Sequence, residues 1–110
     1  MVYWQERALE VARELAVGAA SPSRHRLDAE WEARGDQINA EALAGMLALP
    51  LDDLVGRART VAGELRGHLT VVPEARWLKD GDVQAFFASE TIDHYADHAD
   101  DLAAILAAAA

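Results

Sequence analysis

The sequence predicts an all-α protein, a single antiparallel helical bundle over residues 1–110. Three observations support this fold class. Alanine, leucine and charged residues are abundant and only 3 prolines occur, a composition typical of helices. Apolar side chains recur at steps of three and four residues. Connections of short to medium length join these periodic segments, which favours antiparallel packing.

The first predicted helix covers residues 2 to about 18, and its apolar arc takes up roughly half of the helix surface. The apolar positions are Val2, Trp4, Ala8, Leu9, Val11, Ala12, Leu15 and Ala16. So wide an arc predicts packing against two neighbours. Gly18 ends this helix, and residues 19–23 are predicted to form a loop.

The second segment, about 29–48, is less regular, because Gly35 and Asp36 interrupt its apolar pattern. We therefore expect an irregular turn over Glu30–Gly35, followed by a helix that begins near Asp36. Pro50 ends this unit, since a proline disfavours the helical conformation of the residue before it.

The third helix has the most regular apolar stripe and ends near Leu69. Asp52 or Asp53 starts it, as a cap or as a first-turn acid. Residues 70–80 connect it to the last helix, which is predicted to run from about 82 to 106. The result is a bundle of three core helices with a shorter connecting helix.

Composition excludes several classes of function. The formal net charge is −9, and no basic stripe is present to bind a nucleic-acid backbone. Cysteine is absent, which excludes disulfides, thiolate metal sites and a cysteine nucleophile. Neither a signal peptide nor an apolar run of membrane-spanning length is recognisable. We expect a cytoplasmic protein with no nucleic-acid or membrane partner.

Two histidines in the last helix are the most informative feature of the chain. His94 and His98 are four residues apart, which places them one turn apart on the same helix face. On a helical wheel that face also contains Phe87 and Ile105, near the centre of the apolar stripe. Imidazole is the commonest side-chain metal ligand, and a buried pair needs partners. The pattern predicts a metal site or a polar pocket inside the bundle.

The neighbours of this pair allow more than one interpretation. Glu90 and Asp101 flank it by about one turn on each side, where they are candidates for a further ligand or for hydrogen bonds that orient the imidazoles. The alternative is that both are solvated helix acids. A third ligand is not evident, because His25 lies in a charged loop and His68 at the edge of the third-helix stripe.

Trp4, Trp31 and Asn39 are candidate pocket residues beside the apolar stripes. The alternative for the two tryptophans is ordinary packing in the core or at its rim. The alternative for Asn39 is a cap at the start of a helix or a turn residue, because a buried asparagine needs hydrogen-bond partners.

Four segments of the chain resemble the DinB-like superfamily, and most closely its DfsB-type four-helix-bundle proteins. They are Tyr3-Trp4-Gln5-Glu6-Arg7, Trp31 with Asp36-Gln37-Ile38-Asn39-Ala40, Leu51-Asp52-Asp53-Leu54, and Glu90-Thr91-Ile92-Asp93-His94-Tyr95-Ala96-Asp97-His98. The last segment is the most specific, because an acidic, aromatic His-Tyr-x-x-His helix follows a Trp-bearing loop. The resemblance implies an up-down-down-up bundle with a metal site between its helices.

Many members of the superfamily carry three histidines, and His94 and His98 match the two on the fourth bundle helix. The family's first histidine is expected immediately before Tyr3, where this chain begins with Met1. The resemblance therefore implies that the family's first bundle helix has no counterpart in this sequence. Two explanations compete: a truncated form of a longer protein, or a short member that closes its bundle by dimerising. We expect a homodimer, since soluble monomers rarely expose a long apolar strip.

The resemblance also implies cofactors and a function. The implied cofactors are a divalent metal ion (Zn, Ni or Fe) and a low-molecular-weight thiol. The implied function is either thiol-dependent transfer of a small molecule or self-protection against reactive metabolites. Whether the chain is an enzyme stays open. The alternative is a non-catalytic dimeric helical module that has lost the metal site.

Overall fold

The computed structural model describes residues 2–18, 20–79 and 81–109, without the side chains of 81 and 82. Within these ranges the secondary structure is entirely helical, which confirms the all-α class. The elements are α1 (Val2–Val17), α2 (Pro22–Leu47), α3 (Leu51–Val71), α4 (Glu74–Lys79), α5 (Gly81–Ala88), a π-helical segment (Ser89–Asp93), α6 (His94–Asp97) and α7 (Ala99–Ala109).

Helix α1 is the centre of the fold. It packs against α2, α3, α5 and the π-helical segment, and its largest fully buried side chains are Val11 and Leu15. Leu9 joins Val61 of α3 and Phe87 of α5 in one buried cluster. The predicted boundaries and the broad apolar arc of α1 are confirmed, and the arc is covered by helices of the same chain.

The predicted irregular turn over Glu30–Gly35 is confirmed in part, as a kink within a longer helix. Helix α2 already begins at Pro22 and continues through this region with a kink at Arg34, whose backbone angles are φ −156° and ψ 40°. Gly35 has a packing role instead, because a methyl group there would lie 2.9 Å from Cδ2 of Trp31. The glycine thus leaves room for the Trp31 indole without ending the helix.

Helix α3 extends the predicted third helix slightly at both ends. Asp52 and Asp53 lie in its first turn, and no side chain caps it, so they act as first-turn acids that favour the positive end of the helix dipole. Val61 and Leu65 are its buried residues. The connection after α3 contains the short helix α4, from which Trp77 packs against both hydrophobic clusters.

The predicted last helix is not continuous. Its π-helical segment precedes His94, and a second irregularity lies at His98, with φ −100° and ψ 9°. The hydroxyl of Thr91 donates a hydrogen bond to the carbonyl of Phe87 at 2.8 Å, a contact that often accompanies helix bending. Beyond this point the predicted buried position of Ile105 is wrong, since that residue is 63% exposed.

None of the described helices combines the length and apolar character needed to cross a membrane.

Candidate functional site

Six of the seven candidate site residues line one open cavity of about 660 Å³ between α1, α2 and the segment 89–98. We call it the histidine cavity; the six are Trp4, Trp31, Asn39, Glu90, His94 and His98. The seventh, Asp101, is absent from the lining but contacts His98. Residues that are distant in sequence therefore meet at one place.

The two imidazoles lie side by side at the wall of the histidine cavity. Their ring centroids are 5.0 Å apart and the planes are inclined by 37°. The side chain of His94 is 17% exposed and that of His98 is 46% exposed. His94 is thus the more inward of the two, and His98 stands at the rim.

Each imidazole has a carboxylate near its Nδ1 atom. Oε2 of Glu90 lies 3.6 Å from Nδ1 of His94, and Oδ2 of Asp101 lies 3.2 Å from Nδ1 of His98. The Nδ1 atom of His94 is buried, and no described group is within hydrogen-bonding geometry of it. Asp101 is therefore within hydrogen-bonding distance to orient His98, as a carboxylate orients a ligating histidine, whereas Glu90 lies close to His94 without bonding it.

Burial shifts the pKa values of His94 and Glu90. It lowers the pKa of His94, because the charged imidazolium loses hydration, and the neighbouring His98 acts in the same direction. Burial also raises the pKa of Glu90. His94 is therefore biased toward the neutral imidazole, which has a free lone pair for a metal ion.

The apolar wall of the cavity is held by a contact between α1 and α2. Nε1 of Trp4 donates a hydrogen bond to Oδ1 of Asn39 at 2.9 Å. The Trp4 and Trp31 rings meet edge to face, with centroids 5.4 Å apart. Asn39 lies inside α2, so the interpretation as a helix-start cap or a turn residue is wrong.

Replacing Asn39 with alanine is expected to loosen this wall. The indole N–H of Trp4 loses its acceptor, and we expect a loss of about 1 kcal/mol in the free energy of unfolding. Urea unfolding followed by tryptophan fluorescence measures both the stability and the altered indole environment. Gln37→Ala is the control, because the Gln37 side chain donates a hydrogen bond to Glu41 within its own helix. Equal stability losses in the two variants would contradict the assigned role of Asn39.

The other two histidines lie elsewhere. His25 is exposed on α2, not in a loop, and Nδ1 of His68 lies 2.9 Å from the carbonyl oxygen of Glu64 in its own helix. Neither lines the histidine cavity. Over residues 2–18, 20–79 and 81–109, no group of three or more His, Cys, Asp or Glu side chains is placed to hold a metal ion.

Several cavity residues were not identified from the sequence. Tyr3, Asp28, Met46, Phe86 and Asp97 also line the cavity. Asp28 lies three residues before Trp31, so a helix recognised from Pro22 onward would have placed both on one face. The opposing position of Phe86 is set by tertiary packing and has no local signal.

Comparisons of the chain with models of protein families, with curated proteins and with solved structures find no match. The resemblance to the DinB-like superfamily stays a prediction that depends on the quoted segments. The functional argument therefore depends on the histidine cavity itself.

Proposed function

We propose that this chain is a DinB-like helical-bundle protein of the DfsB type, with up-down-down-up topology, that binds a divalent metal ion and a small molecule in the histidine cavity. His94 and His98 are the proposed metal ligands. The observation that carries the proposal is the 5.0 Å separation of their ring centroids at the wall of one cavity.

This separation suits a shared ion. With Zn–N bonds of about 2.1 Å and tetrahedral angles, two imidazoles on one zinc ion have centroids about 5 Å apart. The carboxylates of Glu90 and Asp101 lie near the Nδ1 atoms, which leaves Nε2 of each ring for the ion. A carboxylate on the far nitrogen is the usual companion of a ligating histidine. The two imidazoles are ligand types that zinc, nickel and iron(II) all accept.

In this proposal the metal ion and the residues that line the cavity have separate roles. When bound, the ion supplies a Lewis acid that polarises a substrate or activates water or a thiol. The chain has no cysteine, so a thiol substrate is an external low-molecular-weight one. Trp4 and Trp31 form an apolar wall for the organic part of the ligand, and Asn39 fixes the Trp4 indole. The reaction class proposed is thiol-dependent transfer or the removal of a reactive metabolite.

A second candidate function is a non-catalytic dimeric helical module. Catalytic zinc sites usually have three protein ligands and one open position. The described residues offer two clustered imidazoles and no group of three suitable side chains. This observation favours a protein that kept the fold and lost the metal site.

Metal titration tests the proposed site. Purified without a polyhistidine tag, the wild-type chain is expected to bind one zinc or nickel ion per chain in isothermal titration calorimetry. His94→Ala and His98→Ala should each weaken binding by roughly 100-fold, because removal of one of two ligands leaves a single imidazole. His25→Ala is the matched control and should bind like the wild type, since His25 is exposed and outside the cavity.

Two outcomes would overturn the proposal. One is a wild-type chain that binds neither zinc, nickel nor iron(II) at millimolar concentration. The other is binding that His25→Ala removes and His94→Ala leaves unchanged. Absence of metal binding, together with unchanged stability of His94→Ala, would instead support the non-catalytic module.

A further inference from the structure

The C-terminal helix α7 has an apolar face with no cover. Every residue of the helix is exposed, although Leu102, Ile105 and Leu106 recur at the three- and four-residue spacing of a packing stripe. Its charges are confined to Asp100 and Asp101 in the first turn. The remaining turns are built from alanine and large aliphatic residues, a composition suited to burial.

A second apolar surface lies on the opposite side of α5 from the histidine cavity. It is an open groove of about 770 Å³, which we call the α3–α5 groove. Its apolar walls include Leu65, Leu69, Trp77, Leu78, Ile92 and Tyr95. Leu69, Leu78 and Ile92 are more than half exposed there. The groove thus offers apolar side chains on both walls to a helix laid along it.

We infer that α7 of a second copy of this chain occupies the α3–α5 groove, and that the exchange is reciprocal in a two-fold symmetric dimer. The lengths agree. Helix α7 has 11 residues, about 16 Å of helix, and the groove wall over residues 84–95 is about 18 Å long. The groove wall over residues 84–95 directly precedes α7 in the chain. When two copies lie antiparallel along this stretch, α7 of each copy therefore lies against the groove wall of its partner.

The exposed area is large enough for a stable dimer. Seven side chains contribute: Leu69, Leu78, Ile92, Tyr95, Leu102, Ile105 and Leu106. Together they expose on the order of 800 Å² per chain, about what one partner contributes to a standard interface. Because the last two turns of α7 are uncharged, they enter the groove without burying an ion, which is a costly event. A second copy also explains why both apolar surfaces occur in one chain.

The oligomeric state of single variants tests this interface. The wild type is expected to be a dimer in sedimentation and light scattering, and Ile105→Glu and Leu106→Glu should each raise the dimer dissociation constant at least 100-fold. Both residues are exposed in the isolated chain, so the variants keep their helical circular dichroism. Val17→Glu is the control, since Val17 is exposed on α1 and lies outside the groove. A wild-type monomer at millimolar concentration, or dimers unaffected by both variants, would overturn the inference.

Disulfide trapping identifies the occupant of the groove. The natural chain lacks cysteine, so Leu106→Cys and Leu78→Cys introduce the only thiols. Mixing the two single variants under oxidation should give a mixed disulfide dimer, whereas Leu106→Cys mixed with Val17→Cys should not. A monomeric internal disulfide in the double variant Leu78→Cys/Leu106→Cys would show that α7 folds onto its own groove, and the inference would fail. Dimerisation should survive metal removal, so this result is independent of the metal proposal.

Discussion

Replacement of Leu15 with alanine is expected to lower the free energy of unfolding by about 3 kcal/mol. Leu15 is 1% exposed and belongs to a buried cluster that joins α1 to Leu27 of α2, Val72 after α3 and Val83 of α5. Truncation removes buried methyl groups and leaves a cavity at the junction of these elements. The loss is large because a domain of this size is stabilised by only about 5–15 kcal/mol in total.

Chemical denaturation followed by circular dichroism measures this loss. Leu47→Ala is the matched control, because it removes the same atoms from a leucine that is 76% exposed near the end of α2. Its expected effect is within about 0.5 kcal/mol of zero. Similar losses for Leu15→Ala and Leu47→Ala would contradict the central position of α1.

The contrast between buried and exposed apolar side chains also explains which parts of the fold could be predicted from the sequence. The helix boundaries of α1 follow from its sequence, because its apolar arc is continuous and Gly18 lies at its end. Helix α2 was predicted only in part. The glycine that suggests a turn there makes room for Trp31, and this role depends on where a side chain one turn earlier lies. Local patterns carry no such information.

The histidine cavity, too, could be predicted from the sequence only in part. The four-residue spacing of His94 and His98 predicts a shared face, and the two rings do lie 5.0 Å apart. The π-helical segment before His94 has no comparable signal, although it sets the position of Glu90 relative to that histidine. The edge-to-face contact of Trp4 with Trp31 joins two helices, so it depends on packing between elements rather than on either sequence segment alone.

The second large effect is expected at Glu14, which connects α1 to the start of α2. Its Oε2 atom accepts a hydrogen bond from the hydroxyl of Ser21 at 2.7 Å. Its two carboxylate oxygens also accept from the backbone N–H of Ser23 at 3.2 and 3.1 Å, and Oε1 accepts from the Ser23 hydroxyl. A carboxylate from one helix thus caps the positive end of the next.

Glu14→Ala is expected to lower the free energy of unfolding by about 2 kcal/mol at pH 7. The N–H and the hydroxyl groups that it leaves without an acceptor belong to the buried Ser21 and Ser23, and unmade hydrogen bonds to a charged group are costly. Thermal and urea unfolding measure the effect. Glu10→Ala on the same helix is the control, because Glu10 forms a surface ion pair with Arg7, worth about 0–1 kcal/mol. Equal losses would contradict the capping role.

The contribution of Glu14 should also depend on pH, in a direction that the hydrogen bonds determine. Burial acts to raise the pKa of this carboxyl, but the hydrogen bonds from Ser23 and Ser21 outweigh burial, and the folded-state pKa is lowered. The unfolded chain, with a glutamate pKa of about 4.3, therefore binds the proton more readily than the folded chain. Stabilisation by the carboxylate is complete above the unfolded pKa and is lost as the pH falls through the folded pKa. The stability difference between wild type and Glu14→Gln should accordingly shrink from pH 7 to pH 3. A difference that grows on acidification would show that the neutral acid, and not the carboxylate, is the better cap for α2.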